Sequence, residues 1–161
     1  MRYSSEITID LPRETVVALF DKPENYSKWM KGLLSMENLE GEAGQERSRR
    51  RLKFEMGKRK MEMVETVTER HLPDRYATTY ETSGVYNEVL NVFIEQGSKK
   101  TLYRTEHYFR FDSWGMKVMA FLMPGAFKKQ SMQYLKDFKA YAELEQKLRE
   151  GEKAEIDNDE W

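Results

Sequence analysis

"GAFKKQSMQYLKDFKAYAELEQKLR", residues 125–149, contains no helix breaker after its opening glycine. At 100° per residue, Phe127, Ser131, Tyr134, Phe138 and Tyr141 fall in one stripe, and Met116, Met119 and Met123 extend that stripe upstream. Lys128, Lys136, Lys139 and Glu143 lie on other faces. A helix of this length spans roughly 35–40 Å at 1.5 Å per residue. It needs a broad apolar surface to lie on, so the fold depends on what the preceding residues build. Pro124 is expected to kink the helix or to split off the segment before it.

Upstream, the pattern is strand after strand. "YSSEITIDL" places Tyr3, Ser5, Ile7 and Ile9 on one side by period two. Asp10 is a plausible N-cap for "PRETVVALF", and a second helical start follows at Pro23 in "PENYSKWMKGL". Both helices are too short to be stable alone. From Leu33 to Asp112 six further strands are separated by short turns, among them Gly57-Lys58 and "QGSKK" at 96–100. About seven strands joined this way form a sequential antiparallel sheet, and its apolar face needs a cover. The long helix is that cover, giving an α+β fold. Residues 1–149 read as a single domain, and "GEKAEIDNDEW" (151–161) falls in an acidic tail, 150–161, expected to be disordered.

Composition narrows the function classes. A formal net charge of −1 argues against general nucleic-acid binding, which depends on summed phosphate attraction. With no cysteine and only His71 and His107 as histidines, no metal site is expected. Dinucleotide, P-loop, serine-hydrolase and zinc-protease signatures are absent, and no cofactor is expected. The N-terminus lacks an apolar leader and no stretch is long enough to span a bilayer, so the expected location is the cytoplasm.

Three phrases carry a family resemblance. "PENYSKWMKGLLSMENLEG" (23–41), "VTERHLPDRYATTYETSG" (67–84) and "IEQGSKKTLYRTE" (94–106) occur in the order found in the START-like (SRPBCC) superfamily, and the chain resembles it over about residues 1–148. The resemblance implies the helix-grip architecture: a strongly curved antiparallel sheet around one long C-terminal helix, with two short helices after the first strand. It often includes a hydrophobic cavity between sheet and helix. That superfamily includes polyketide cyclases and aromatases, lipid and hormone carriers, and chaperone co-factors, so it does not fix an activity.

Period two selects the inward residues. In the last strand these are Tyr103, Thr105, His107, Phe109 and Phe111. Tyr76, Thr78 and Tyr80 follow on the strand after Pro73, Leu52, Phe54 and Met56 on an earlier hairpin, and Met61, Met63, Glu65 and Val67 on its partner. The strand from Val85 is ambiguous; its more apolar set is Tyr86, Glu88, Leu90, Val92 and Ile94, which brings Glu88 and Leu90 inward. The expected ligand-binding set is therefore Phe54, Met63, Tyr80, Glu88, Leu90, Tyr103, His107, Phe109, Met119, Met123, Phe127 and Tyr134. Apolar walls with sparse polar contacts suit a pocket, and methionine suits guests of variable shape, although a methionine stripe is equally compatible with plain core.

Three functions follow. The first is binding, with transport as an extension of it, of a small hydrophobic or amphipathic ligand between sheet and helix. The second is a polyketide cyclase/aromatase-like enzyme with His107, Glu65 and Tyr80 as acid–base groups, where His107 could instead be a neutral packing residue. The third is an interaction module docking an acidic partner through the basic hairpin 47–60, "RSRRRLKFEMGKRK", whose charges could equally protect a strand edge. Oligomeric state is not legible.

Overall fold

The computed structural model describes residues 1–159. Its elements follow the expected order: β1 (Arg2–Ile9), α1 (Arg13–Phe20), a 3₁₀ helix (Pro23–Lys28), β2 (Leu33–Glu40), β3 (Arg49–Met56), β4 (Arg59–His71), β5 (Arg75–Thr82), β6 (Val85–Glu95), β7 (Thr101–Phe111), α2 (Trp114–Leu122) and α3 (Pro124–Asp159). The N-cap of α1 is Pro12 rather than Asp10, and no side chain caps it.

All strand pairs are antiparallel, in the order β1-β7-β6-β5-β4-β3-β2. β2 to β7 follow one another through short turns, and β1 closes the far edge by pairing with β7. Register shifts at Leu33/Ser35, Asn38/Glu40 and Val67/Glu69 mark irregularities in three places. Such bulges bend a strand and increase its twist, which curves the sheet into a palm. Gly32 (φ +84°) makes the turn into β2, where a Cβ would collide with the Glu55 carbonyl, so only glycine fits there.

α3 lies across the palm. Leu135, Phe138, Tyr141 and Ala142 are its buried apolar residues. Phe138 meets Trp29 at 5.0 Å, Tyr103 at 5.5 Å and Phe20 at 6.0 Å between ring centroids, so the helix, the two short helices and the sheet converge on one aromatic cluster. Edge-to-face pairs of this kind add to simple area burial. At 36 residues the helix is about 54 Å long. It continues through Asp159, so residues 150–159 are helical rather than disordered; Trp161 lies outside the described residues.

Pro124 separates α2 from α3, as its missing N–H requires. Met123, at φ −129° and ψ 53°, is not helical, so the phase of the α3 stripe does not carry into α2. α2 has its own N-cap, Ser113, whose hydroxyl accepts from the Met116 N–H at 3.2 Å. It buries Ala120 and half-buries Met116, leaving Met119 and Met123 exposed. This corrects the expectation that Met119 and Met123 line the interior.

β6 is also reversed relative to its sequence reading. Its partners fix the facing: Val89 lies opposite His107, Asn91 opposite Thr105 and Phe93 opposite Tyr103. Directly paired residues share a face, so the inward set is Asn87, Val89, Asn91 and Phe93. Glu88 and Leu90 are on the outer face, where Glu88 accepts from the Tyr86 hydroxyl at 3.0 Å.

Candidate functional site

Between palm and α3 lies a cavity of about 380 Å³. Pairing across the sheet arranges the inner face of the palm in rows, of which Arg50, Val67 and Thr78 lie outside the cavity lining. One row runs Arg50, Glu65, Tyr80, Asn87, Phe109. The next runs Val67, Thr78, Val89, His107, Tyr3. Nearer the aromatic cluster, Tyr76, Asn91 and Thr105 follow. Each position in a row comes from a different strand.

Of the expected lining residues, Phe54, Met63, Tyr80, Tyr103, His107, Phe109, Phe127 and Tyr134 face the cavity, as does Glu65. Met56, Met61 and Gln130 line it and are exposed, so the cavity opens beside the β3–β4 turn and the first turns of α3. Met116 and Phe127 on the helices, and Thr82 and Val85 beside the β5–β6 turn, line the same mouth. The walls are otherwise aromatic and methionine-rich.

The polar groups fall into three sets. Arg50 and Glu65, with 2% and 3% exposure, form a buried ion pair in which the Arg50 Nε donates to Glu65 Oε1 at 2.8 Å and Nη2 donates to the same oxygen. The Arg50 guanidinium also stands 5.4 Å from the Tyr26 ring centroid, and its Nη1 has no protein partner. Arg50 is the residue that sequence reading missed. It sits in the run Arg49-Arg50-Arg51, where only its parity with Leu52 and Phe54 marks it as inward.

The tyrosines around this pair stay protonated. Burial, reinforced by the Glu65 carboxylate, raises Tyr26 to about 12 and pushes Tyr76 and Tyr80 up as well. Each is a neutral phenol at pH 7, able to donate. The Tyr76 hydroxyl, Thr78 Oγ1 and Asn87 Oδ1 are buried without protein partners. Tyr103 donates to Asn91 Oδ1 at 2.7 Å, and the Asn91 amide donates to the Tyr76 carbonyl at 3.1 Å, which explains why an asparagine tolerates this depth.

His107 forms the third set. Its ring stacks on Tyr3 at 4.8 Å, and its Nε2 is 3.2 Å from Thr105 Oγ1, while Nδ1 has no partner. Glu65 does not orient it: Arg50 holds that carboxylate, and β5 and β6 stand between the two strands. Glu88 is on the opposite face. The triad of His107, Glu65 and Tyr80 is therefore not assembled as a hydrogen-bonded unit.

Burial pushes the His107 pKa down to about 4, so the ring is neutral at pH 7. In the unfolded chain it titrates near 6.5. As pH falls below 6.5 the unfolded state takes up a proton that the folded state refuses until about pH 4. Stability that is complete above 6.5 is therefore lost across that window, by about 2–3 kcal/mol once its partial access to cavity solvent is allowed for. His107→Asn is expected to lose correspondingly less between pH 7 and pH 4.5, as read from urea midpoints of the two proteins. Parallel losses would show that His107 does not contribute.

The arginine run of the basic hairpin is neutralised within the sheet, Arg50 by Glu65 on the inner face. On its outer face Arg51 pairs with Glu37 and Glu62 at 2.9 Å each, and Arg49 with Glu40 at 3.6 Å. Among the described residues no group of three or more His, Cys, Asp or Glu is placed to hold a metal ion.

Comparison with known proteins accords with this geometry. The model of the family described as polyketide cyclase / dehydrase and lipid transport matches residues 1–143. The chain belongs to that family. A comparison with curated protein sequences found no match. Among solved structures, an aromatase/cyclase of Streptomyces sp. R1128 superposes with a TM-score of 0.75 at 16% identity, covering 89% of this chain and 93% of that one. A conserved protein from Geobacillus kaustophilus gives 0.72 at 17% identity, over 88% and 95%. A point mutant of norcoclaurine synthase from Thalictrum flavum, in complex with a transition-state analogue, gives 0.69 at 10% identity, over 91% and 96%. At these identities the likeness is one of fold. It makes this chain a helix-grip member of the polyketide cyclase / dehydrase and lipid transport family, and the family as a whole accommodates both ligand binding and cyclase-like chemistry.

Proposed function

We propose that the protein binds a small amphipathic molecule in the cavity between the sheet and α3. The observation that carries this reading is the cavity itself: about 380 Å³, apolar-walled, with unpartnered polar atoms on its inner face. That volume is in the range of small-molecule pockets. An apolar body would be stabilised by burial at about 25 cal/mol per Å². An oxygen-bearing end would take the Tyr76 hydroxyl, which lines the cavity and otherwise remains buried without a partner. Binding is favoured over turnover because the candidate acid–base groups are already committed or apart: Glu65 to Arg50, and His107 to Thr105.

Native mass spectrometry of protein purified from its own host tests the proposal directly, with a co-purified organic guest as the expected result. A second test uses 1-anilinonaphthalene-8-sulfonate. Val89→Trp, on the cavity wall, is expected to weaken the probe by about tenfold or more by occupying its space. Probe held on an exposed surface would be unaffected by this substitution. No guest in the first experiment together with unchanged probe binding in the second would end the proposal.

A further inference from the structure

Beside the cavity, whose lining includes Met116, α2 carries apolar residues that no other described residue covers. On α2, Trp114 is 81% exposed, Phe121 84% and Leu122 69%, and Met119 and Met123 are exposed beside them. The exposed Met56 and Met61, which flank the β3–β4 turn, line the same cavity as Met116 of α2. Scattered apolar residues on a surface need no explanation, but five exposed ones on and just after a single nine-residue helix do.

Charge surrounds the cluster. Lys58, Arg59 and Lys60 form the hairpin tip, Lys117 is on α2, and Lys128 and Lys129 are in the first turns of α3. All six are exposed, and among the described residues none takes part in a salt bridge. No acidic residue occurs between Asp112 and Asp137. Nearby Asp112 is taken up by Arg110 at 3.3 Å, and Glu62 by Arg51. The rim is therefore predominantly cationic, with Glu55, opposite Lys60, and Glu81 as its exposed carboxylates.

We infer that this face docks on a membrane surface containing anionic lipid. A tryptophan-bearing helix with an exposed apolar face and flanking lysines is suited to the boundary between headgroups and acyl chains. α2 has nine residues, and no helix among those described is long and apolar enough to cross a bilayer, so the contact is superficial. A second copy of this chain is a poorer occupant, because a two-fold contact would set the same cationic rim against itself. Docked this way, the mouth opens onto the bilayer, and an apolar guest passes between lipid and cavity without crossing water. That consequence rests on the binding proposal. The docking does not, and its test adds no ligand.

The experiment is cosedimentation with sucrose-loaded vesicles, either phosphatidylcholine alone or with about 30% phosphatidylglycerol. Each basic residue near an anionic surface contributes about fivefold to partitioning, so the anionic vesicles are expected to bind at least about tenfold more strongly. Raising salt to about 0.5 M should remove most of that preference. Phe121→Asp with Leu122→Asp, two exposed positions whose change leaves the core intact, is expected to lower binding by about tenfold or more. Independently of any folding defect in that variant, the wild-type tryptophan emission should shift to the blue on anionic vesicles, and Trp114→Phe should abolish the shift. The inference is overturned if wild type fails to sediment with anionic vesicles, if the double variant binds as wild type does, or if binding ignores salt. It is also overturned if sedimentation velocity shows a dimer that the double variant dissociates while neither protein binds vesicles.

Discussion

Arg50→Met is expected to cost about 3–5 kcal/mol of folding stability, whereas Arg50→Met combined with Glu65→Leu should recover most of that loss. The reason is an asymmetry in burial. Both partners are almost wholly withdrawn from solvent, and two guanidinium nitrogens converge on one carboxylate oxygen. Removing the arginine leaves a carboxylate with neither water nor countercharge. Removing both leaves no unpaired charge, and Leu52 and Phe54 continue the same face of β3 as apolar neighbours. For a chain of this size each kcal/mol moves the midpoint by about 2–4 °C, so the single variant should melt roughly 6–20 °C early. Urea titration of the wild type, both single variants and the double closes the cycle. A double variant no more stable than Arg50→Met would mean that the pair contributes by packing rather than by charge. The same cycle bears on binding: a pair whose removal is thermodynamically mild but which weakens guest affinity is there for recognition.

Phe138→Ala is expected to cost a comparable 3–5 kcal/mol, by a different route. Phe138 is 0% exposed and touches rings from every layer: Phe20 of α1, Trp29 after the 3₁₀ helix, Tyr103 of β7 and Tyr141 one turn along. Those neighbours are held by other contacts and cannot collapse into the space left behind. Several of them, including Trp29 and Tyr103, also line the cavity, so the void would join it. Chemical denaturation should therefore show a large stability loss. A loss under about 1 kcal/mol would mean that α3 is not fixed on the sheet through this ring.

The sequence made the architecture legible for particular reasons. β7 alternates Tyr103, Thr105, His107 and Phe109 against Arg104, Glu106 and Arg110, and such contrast leaves little doubt about facing. The α3 stripe was equally plain because its lysines occupy the other faces. β6 was not legible, since both of its faces are apolar and its true inner face carries two asparagines; only pairing with β7 decides between them. Arg50 was hidden because a charged residue in a basic run looks solvated, and its countercharge lies in the next strand. α2 was misread because one non-helical residue, Met123, resets the angular phase that a continuous stripe assumes. The helical residues 150–159 were read as tail because charge and lack of periodicity suggested disorder, whereas the helix continues outward from α3 with no face to bury.

The rows across the palm have a consequence for how such a protein diversifies. Neighbouring wall positions belong to separate strands whose backbones are already fixed by their own hydrogen bonds. A change at Tyr80, Asn87 or Val89 alters one tile of the wall and leaves the frame standing. On the binding proposal, guest preference and foldability are thus inherited almost independently, and one scaffold can change its guest by a single residue at a time.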